Sequence, residues 1–224
     1  MIITRQKKRE DILQKVGARS RVFLLGCGEC ATACRTGGER ELAEMSAFLE
    51  EHGREVTGCF RADVGCILPA VRRDLRGHRA ALDRADAVLV LSCGLGCQVA
   101  TEATGKPVLP ACDTIFAGSQ WKTELAESGA VNTFEEKCVM CGNCILDLTG
   151  GLCPYTLCAK GMINGPCGGT RPDGTCEAGN DQPCGWLLIY ERLKKIGRLD
   201  LMKPLLPPRD WSLQKVPRRA RVRL

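Results

Sequence analysis

The apolar positions between residues 21 and 112 fall into short runs separated by amphipathic stretches. Four of these runs have the length and the aliphatic, β-branched content of buried strands. They occupy residues 21–25, 54–60, 85–91 and 106–110. Strands that alternate with helical stretches are typical of a parallel sheet with helices packed against it. The pattern therefore predicts an α/β fold for this part of the chain.

Two crossover helices are expected between these strands. The first covers residues 39–52, and its apolar face carries Leu42, Met45 and Leu49. Thr36 and Glu39 have the spacing of a capping box at its start. The second helix is predicted over about residues 69–84, and it begins with a proline, which the first turn of a helix accepts.

The cysteines of this region share one property, because each stands at or beyond the carboxyl end of a predicted strand. They are Cys27, Cys30, Cys34, Cys59, Cys66, Cys93, Cys97 and Cys112. The carboxyl ends of parallel strands meet at one edge of the sheet, where open α/β folds also bind their ligands. We therefore expect these thiols to converge on that edge.

The chain changes in character after residue 132. Residues 121–132 are interpreted as a helix with an exit loop, and residues 138–184 then hold eight cysteines among glycine-rich turns. Residues 186–197 are expected to form a helix with a dense apolar face. The predicted organisation is an α/β cluster-binding domain over residues 1–133, a small irregular, ferredoxin-like metal domain over residues 134–202, and a basic extended tail over residues 203–224.

Sixteen cysteines and two histidines decide which kind of site to expect. The first ten residues are charged where a signal peptide would be apolar, and no apolar run approaches the ~18 residues of a membrane span, so a cytoplasmic protein is expected. Thiols in a reducing compartment bind metal, although eight disulfides would also use all sixteen cysteines. Because histidine is so rare, iron–sulfur clusters or all-thiolate zinc are favoured over His-rich catalytic sites.

Much of the net charge of +6 lies in two basic runs, at residues 5–9 and 218–223. Such runs usually solvate a terminus, and no basic face interleaved with aromatic residues accompanies them, so nucleic acid is not an expected partner. No Ser/His/Asp or Cys/His arrangement is readable, so no catalytic residue is predicted. Asp113, Thr114 and Asp147 lie near cysteine loops and are interpreted as turn or helix caps.

The sharpest motif is C-V-M-C-G-N-C, which holds Cys138, Cys141 and Cys144. Three thiolates at a spacing of three let one loop reach three corners of a cubane cluster. Cys153 is followed by a proline and resembles the remote ligand of bacterial ferredoxins. We expect a [4Fe–4S] cluster on these four cysteines, with structural zinc as the alternative.

Four cysteines remain in this half of the chain, the number that a second closed site requires. They are Cys158, Cys167, Cys176 and Cys184. Their wide spacing fits a second cluster and a zinc-stapled loop domain about equally well.

The upstream motif G-C-G-E-C-A-T-A-C supplies Cys27, Cys30 and Cys34. Its spacing is the reverse of the radical-SAM order, and the chain is short for such a barrel, so that enzyme class is excluded. A cluster on these three thiols is predicted, with a fourth ligand drawn from Cys93, Cys59 and Cys66. Cys97 and Cys112 are either further ligands or small buried hydrophobic residues.

From Cys138 onward, the segment C-V-M-C-G-N-C-I-L-D-L-T-G-G-L-C-P-Y-T-L-C-A-K-G-M-I-N-G-P-C-G-G, followed by G-T-C-E and C-G-W-L-L-I-Y-E-R-L, resembles the C-terminal-domain family of methylenetetrahydrofolate reductase. The motifs G-C-G-E-C-A-T-A-C-R-T-G-G-E, A-D-A-V-L-V-L-S-C-G and P-P-R-D-W resemble it as well. The resemblance thus covers nearly the whole chain. In acetogens and related anaerobes, this family is the small subunit beside a flavin-bearing reductase subunit.

The resemblance implies a non-catalytic, iron–sulfur electron-transfer subunit of the Wood–Ljungdahl pathway, with two or more [4Fe–4S] clusters and with zinc as a further candidate metal. It implies a methylenetetrahydrofolate reductase catalytic subunit carrying FMN or FAD as partner, and ferredoxin or a larger hydrogenase or heterodisulfide-reductase-type assembly as electron donor. Cysteine is not expected in the family at Cys97 and Cys112. A zinc-stapled docking subunit without a redox role stays open as the alternative.

Overall fold

The computed structural model describes residues 1–126, 129–179 and 181–220. By its internal contacts the chain divides into two units, Met1–Gly118 and Ser119–Leu224. The domain boundaries expected from composition, after residues 133 and 202, stay predictions. None of the described helices is both long enough and apolar enough to cross a membrane.

The first unit alternates strands and helices along its whole length. Its strands are β1 (Ile2–Gln6), β2 (Arg21–Cys27), β3 (Glu55–Ala62), β4 (Ala87–Leu91), β5 (Val108–Pro110) and β6 (Cys112–Ala117). Its helices are α1 (Arg9–Val16), α2 (Cys30–Ala33), α3 (Glu39–Glu51), α4 (Leu68–Asp74), α5 (Arg79–Arg84) and α6 (Gly94–Thr104).

A parallel sheet in the order β3-β2-β4-β5 forms the centre of this unit. Every residue of β4 and all of β2 except Arg21 are buried, as expected for strands covered on both faces. The predicted α/β class with a parallel sheet is confirmed for this unit, and the four predicted strands are all present within a few residues of their expected bounds. The boundary shifts are ordinary for strand ends.

Two apolar layers hold the helices against the sheet. On one face, Leu24 and Leu89 pack with Met45 of α3 and Ile12 of α1. On the other face, the layer is formed by α4, α5 and α6 with the opposite side chains of the same strands, including Phe23, Val71, Leu82, Val88 and Ala100. Each layer contains ten buried residues, so the sheet is positioned by packing on both sides.

The predicted helix at residues 69–84 is divided in the structure. A 3-10 turn, Leu75–His78, separates α4 from α5. Gly77 stands in this turn and lowers the helix propensity there, while Leu75 stays buried in the layer. The start of α3 also differs from its prediction. Glu41 accepts a hydrogen bond from the Gly38 N–H at 2.9 Å, so the N-cap is Gly38, two residues after Thr36, and the expected capping box of Thr36 and Glu39 is wrong.

β1 and β6 form a separate antiparallel pair that the apolar pattern does not predict. The basic run at residues 5–9 is expected to be solvated. Arg5 is exposed although it lies in β1, and the Lys7 ammonium forms an ion pair with the Asp113 carboxylate. Backbone pairing holds this segment although polar and apolar residues do not alternate along either strand, because the ladder satisfies N–H and C=O groups regardless of side chain.

The second unit opens with a β-hairpin made of β7 (Ser119–Ala126) and β8 (Gly129–Glu135). The helix predicted over residues 121–132 is therefore wrong. Thr123, Val131 and Thr133 are β-branched and favour strands. The Gln120 amide and the Thr123 hydroxyl also donate to Asn132 Oδ1 across the pair, at 3.1 and 2.9 Å, which gives the two strands a polar face.

The remainder of the second unit consists mostly of loops. Its helices are α7 (Pro154–Leu157) and α8 (Gly185–Lys195), with 3-10 turns at Leu199–Met202 and Trp211–Gln214. α8 matches the prediction for residues 186–197, and its apolar face buries Trp186, Ile189 and Leu193. These three residues and Cys184 form the buried cluster of this unit, which is much smaller than either layer of the first unit. An iron–sulfur character of this unit is a proposal, taken up below.

Candidate metal centre

Thiols from three separate segments meet at the carboxyl edge of the parallel sheet. Cys27 ends β2 and Cys93 follows β4 by two residues, which places both at that edge. The Gly65 N–H points to Cys27 Sγ at 3.4 Å, so the loop after β3 also reaches the site. The Ile2 N–H donates to Cys30 Sγ at 3.3 Å. Backbone N–H groups aimed at sulfur favour the charged, metal-binding form of a thiol.

Cys66 lies with these thiols. Burial raises the pKa of the Cys66 thiol, and the nearby sulfurs of Cys27, Cys93 and Cys30 raise it further, because negative charges close together repel. A bound cation reverses this penalty. The convergence that topology predicts is therefore present for these four cysteines: they form the sheet-edge group of Cys27, Cys30, Cys66 and Cys93.

Cys34 lies beside this group and accepts no N–H of its own among the described contacts. Its thiol points to the Ile2 carbonyl at 3.9 Å, while the Ile2 N–H serves Cys30. Ile2 thus links the two cysteines through its own N–H and C=O groups.

Cys97 and Cys112 are set deeper. Burial raises the pKa of Cys97 to about 11 and that of Cys112 to about 12, and Cys112 Sγ donates to the Thr36 carbonyl at 3.5 Å. Both are neutral thiols at physiological pH as they stand. Thr114 Oγ1 accepts from the Gly94 N–H at 2.8 Å, which supports its predicted capping role at the start of α6.

Cys59 lies away from the sheet edge. It pairs with Leu24 inside the sheet, whereas Ala62, three residues later, pairs with Cys27 at the edge. Three strand residues span about 10 Å. Cys59 lines a groove of about 640 Å³ between β3 and α3 instead. The strand predicted over residues 54–60 ends too early, which explains why Cys59 is expected at a strand end.

In the second unit, one apolar cavity of about 200 Å³ brings together the cysteines of the sharpest motif. Its wall includes Cys138, Cys141, Cys144 and Cys153, together with Val139, Met140, Ile145, Leu146 and Tyr155. These are the four cysteines that motif spacing predicts for a cubane. We call this space the cysteine cavity.

The loop around the cysteine cavity curls tightly enough to turn several sulfurs to one side. Met140 and Gly142 have φ values of 51° and 84°, in the left-handed region. The Met140 N–H donates to Cys138 Sγ at 3.3 Å. A left-handed residue between cysteines reverses the chain direction and aims an N–H at sulfur, as a metal-binding loop requires.

The four remaining cysteines of this unit differ in environment. Cys184 precedes α8; burial raises the pKa of its thiol, but hydrogen bonds from Thr170 and from the Leu187 and Trp186 N–H groups outweigh that effect and lower it. Cys158 packs in the same buried cluster as Cys184. Cys176 is buried and its residue bridges to Thr170, whereas Cys167 is exposed and interacts with the Lys160 ammonium.

Within residues 1–126, 129–179 and 181–220, no three His, Cys, Asp or Glu side chains are arranged to hold a single metal ion. A tetrahedral zinc site needs all its sulfurs within bonding distance of one ion. A cubane takes one thiolate at each of its iron corners, so its sulfurs stand farther apart. Soft thiol donors and sulfur-directed N–H groups at both the sheet-edge group and the cysteine cavity, with an apolar wall at the cavity, are a donor set that fits a [4Fe–4S] cluster.

Contacts from the C-terminal segment to the cysteine cavity are not foreseen from the sequence. Gln214 Nε2 donates to the Val139 carbonyl and Arg218 Nη1 to the Met140 carbonyl, each at 3.2 Å. The Arg209 guanidinium lies between the rings of Tyr155 and Trp211. The signal that the sequence holds is an arginine two residues before a tryptophan in P-P-R-D-W. The predicted basic run at residues 218–223 lies outside the described residues beyond residue 220.

Residues 116–212 match the family model described as Methylene-tetrahydrofolate reductase C terminal. The comparison with curated proteins gave no significant match. Among solved structures, a crystal structure of arylmalonate decarboxylase matches with 19% identity over 46% of this chain and 45% of that chain, at a TM-score of 0.31. A glycine-to-cysteine mutant of arylmalonate decarboxylase in a sulfate-associated form matches with 18% identity over 46% of this chain and 44% of that chain, also at a TM-score of 0.31. The chain spans less than half the length of these structures, and their likeness carries no functional argument.

Proposed function

We propose, from the premise that residues 116–212 belong to the methylenetetrahydrofolate reductase C-terminal family, that this chain is the iron–sulfur electron-transfer subunit of a methylenetetrahydrofolate reductase complex. It relays electrons to or from the flavin of a partner catalytic subunit. The observation that carries the proposal is the cysteine cavity, where four cysteines from two separate loops line one apolar space.

Cys138, Cys141, Cys144 and Cys153 would hold one [4Fe–4S] cluster, and the sheet-edge group of the first unit would hold another. Such a cluster, when bound, supplies one-electron transfer at a potential set by its surroundings. Cys34, Cys97 and Cys112 then act as neighbours of the sheet-edge group. Cys158, Cys167, Cys176 and Cys184 would form a further thiolate site, for which zinc and a cluster both remain candidates.

The protein's own residues orient the sulfurs and regulate their charge. The N–H groups of Gly65, Ile2 and Met140 donate to cysteine sulfurs and so stabilise negative charge there. The wall of the cysteine cavity is mainly apolar, which strengthens these interactions relative to bulk water. No general acid, base or nucleophile is needed for electron transfer, in keeping with a subunit that leaves the chemistry of the substrate to its partner.

Anaerobic purification of the full chain tests this proposal. Iron and acid-labile sulfide in equal amounts, with a broad absorption band near ~400 nm, are expected. A colourless protein that contains zinc and no sulfide would overturn the redox role and favour the rival proposal, a zinc-stapled docking subunit.

The partner is tested separately by co-purification from anaerobic extracts. A flavoprotein that binds methylenetetrahydrofolate is expected to remain with this chain, and ferredoxin or a hydrogenase-type assembly is expected to reduce the complex. A chain that elutes alone at all concentrations would contradict the proposed partnership without affecting the cluster proposal.

A further inference from the structure

Arg209 is held in place by two aromatic rings in the second unit. Its guanidinium carbon lies 4.5 Å from the centre of the Tyr155 ring and 4.3 Å from that of the Trp211 ring. Stacking on both faces restricts the guanidinium plane and leaves only its edge for hydrogen bonding. The side chain is therefore fixed far more than a surface arginine normally is.

The edge of this guanidinium carries two donors that lack an acceptor among the described residues. Arg209 Nε and Nη2 are buried, and neither has a hydrogen-bond partner within the part of the chain that the structure describes. The adjacent carboxylate of Asp210 accepts the Ser212 N–H at 2.8 Å and forms no described ion pair with Arg209. Buried donors of a charged group are nearly always satisfied in folded proteins, so a missing acceptor must be sought close by.

A ring that contacts Arg209 belongs to the wall of the cysteine cavity, so the acceptors of this cavity are the candidates. Tyr155, which stacks on Arg209, is also part of the cavity wall. The same C-terminal segment is fastened to this wall by the contacts of Gln214 and Arg218 with the carbonyls of Val139 and Met140. Residues 209–218 thus lie across the loop that carries Cys138 and Cys141.

The distribution of charge also indicates that Arg209 interacts with the cysteine cavity. Lys137 also lines the cavity, but its ammonium is paired with the Glu135 carboxylate and lies over the Trp121 ring. Arg209 forms no ion pair among the described residues, so its positive charge is not neutralised locally. Four thiolates around a cluster core give a net negative group, which an unpaired guanidinium complements.

We propose that Arg209 is a positioning and potential-setting residue for the group held by the cysteine cavity: its buried N–H edge, clamped between Tyr155 and Trp211, directs positive charge at that group. This inference rests on the proposed iron–sulfur function. Reduction adds one electron to the group, and a nearby positive charge stabilises the more negative, reduced form. Arg209 therefore raises the midpoint potential.

The test is an anaerobic redox titration of the full reconstituted chain, followed by electron paramagnetic resonance. The relevant signal is the one that disappears in Cys141→Ser. Arg209→Gln removes the charge and keeps a polar side chain, Arg209→Lys keeps the charge, and Lys195→Gln is the matched control, because Lys195 is exposed at the end of α8.

Arg209→Gln is expected to shift the reduction equilibrium about tenfold towards the oxidised form, which is about 59 mV for a one-electron couple. Arg209→Lys should recover most of this shift, and Lys195→Gln should cause none. Loss of iron in Arg209→Gln with retention in Arg209→Lys would also support the charge assignment.

Three results would overturn the inference. An unchanged potential in Arg209→Gln with full iron and sulfide would leave the electron-transfer proposal intact and remove the role of Arg209. Equal loss of iron in the glutamine and lysine variants would assign Arg209 to packing alone. Absence of iron and sulfide from the wild-type chain would overturn both this inference and the function on which it rests.

Discussion

The sheet-edge group and the cysteine cavity gather thiols by different means. In the first unit, two layers of ten buried residues each fix the strands, and the cysteines occupy positions where those strands end. In the second unit, the buried cluster has four members, and the cysteines stand on loops turned by left-handed residues. The proposed bound group would therefore be an addition to the first fold and a structural requirement of the second.

The largest expected effect separates these two cases. Cys141→Ser should abolish binding in the cysteine cavity and unfold the loops of the second unit, because on the order of 10 kcal/mol of metal-binding free energy is folding free energy in small thiolate-held domains. Hydrogen exchange should show protection lost over residues 136–179.

Cys27→Ser is the matched variant in the first unit. Cys27 is held by the β2 ladder and by its N–H bond to the Gly37 carbonyl at 3.0 Å, neither of which depends on the thiol. Protection of β2 and β4 should persist while iron content falls. If Cys27→Ser unfolded the first unit as fully as Cys141→Ser unfolds the second, the proposed difference between the two units would be wrong.

A second prediction concerns the backbone that supports the sheet edge. A methyl group at Gly37 would meet the Leu91 carbonyl, which the sheet prevents from moving. Gly37→Ala should lower the free energy of unfolding of the first unit by about 3 kcal/mol, as overpacking does. Thermal denaturation followed by circular dichroism measures the change.

Gly77→Ala provides the control for this substitution, because a methyl group at Gly77 meets nothing within 4 Å. It should leave stability unchanged or increase it slightly, since alanine favours the helical turn. If both alanine variants behaved alike, the close packing of Gly37 would not support the edge as described.

The smallest expected effect concerns the start of α6. Thr114→Val removes the hydroxyl that accepts the Gly94 N–H and should cost about 1 kcal/mol of stability. Thr101→Val is the control variant. The Thr101 hydroxyl donates to the Cys97 carbonyl within the same helix, so its removal should lower the free energy of unfolding by less. Urea denaturation of both variants measures these free energies of unfolding. A larger loss of stability in Thr101→Val than in Thr114→Val would contradict the capping role of Thr114.

Sequence patterns predict the first unit better than the second, for a physical reason. Strands such as β4 are continuous apolar runs because both sheet faces are covered, so burial marks them directly. β1 and the β7–β8 hairpin rely on backbone pairing and polar cross-strand contacts, which leave no apolar run. The extent of β3, and with it the placement of Cys59, depends on register with β2, which one-dimensional patterns do not contain.

The candidate sites divide in the same way. The spacing of Cys138, Cys141 and Cys144 predicts a shared site because the three cysteines share one loop, and the cysteine cavity brings them together with Cys153. The sequence leaves Cys66 as one of three alternatives for the fourth ligand. The path of the loop after β3 places Cys66 in the sheet-edge group. Arg209 is distant in sequence from every cysteine motif, so only the fold brings it to Tyr155.

The most direct test of the cysteine cavity as a cluster site is anomalous X-ray diffraction from anaerobically grown crystals of the full chain, recorded on both sides of the iron absorption edge. The account predicts a strong iron signal between the sulfurs of Cys138, Cys141, Cys144 and Cys153. A signal that appears only at the zinc edge, or sulfurs joined to each other in disulfides, would contradict it.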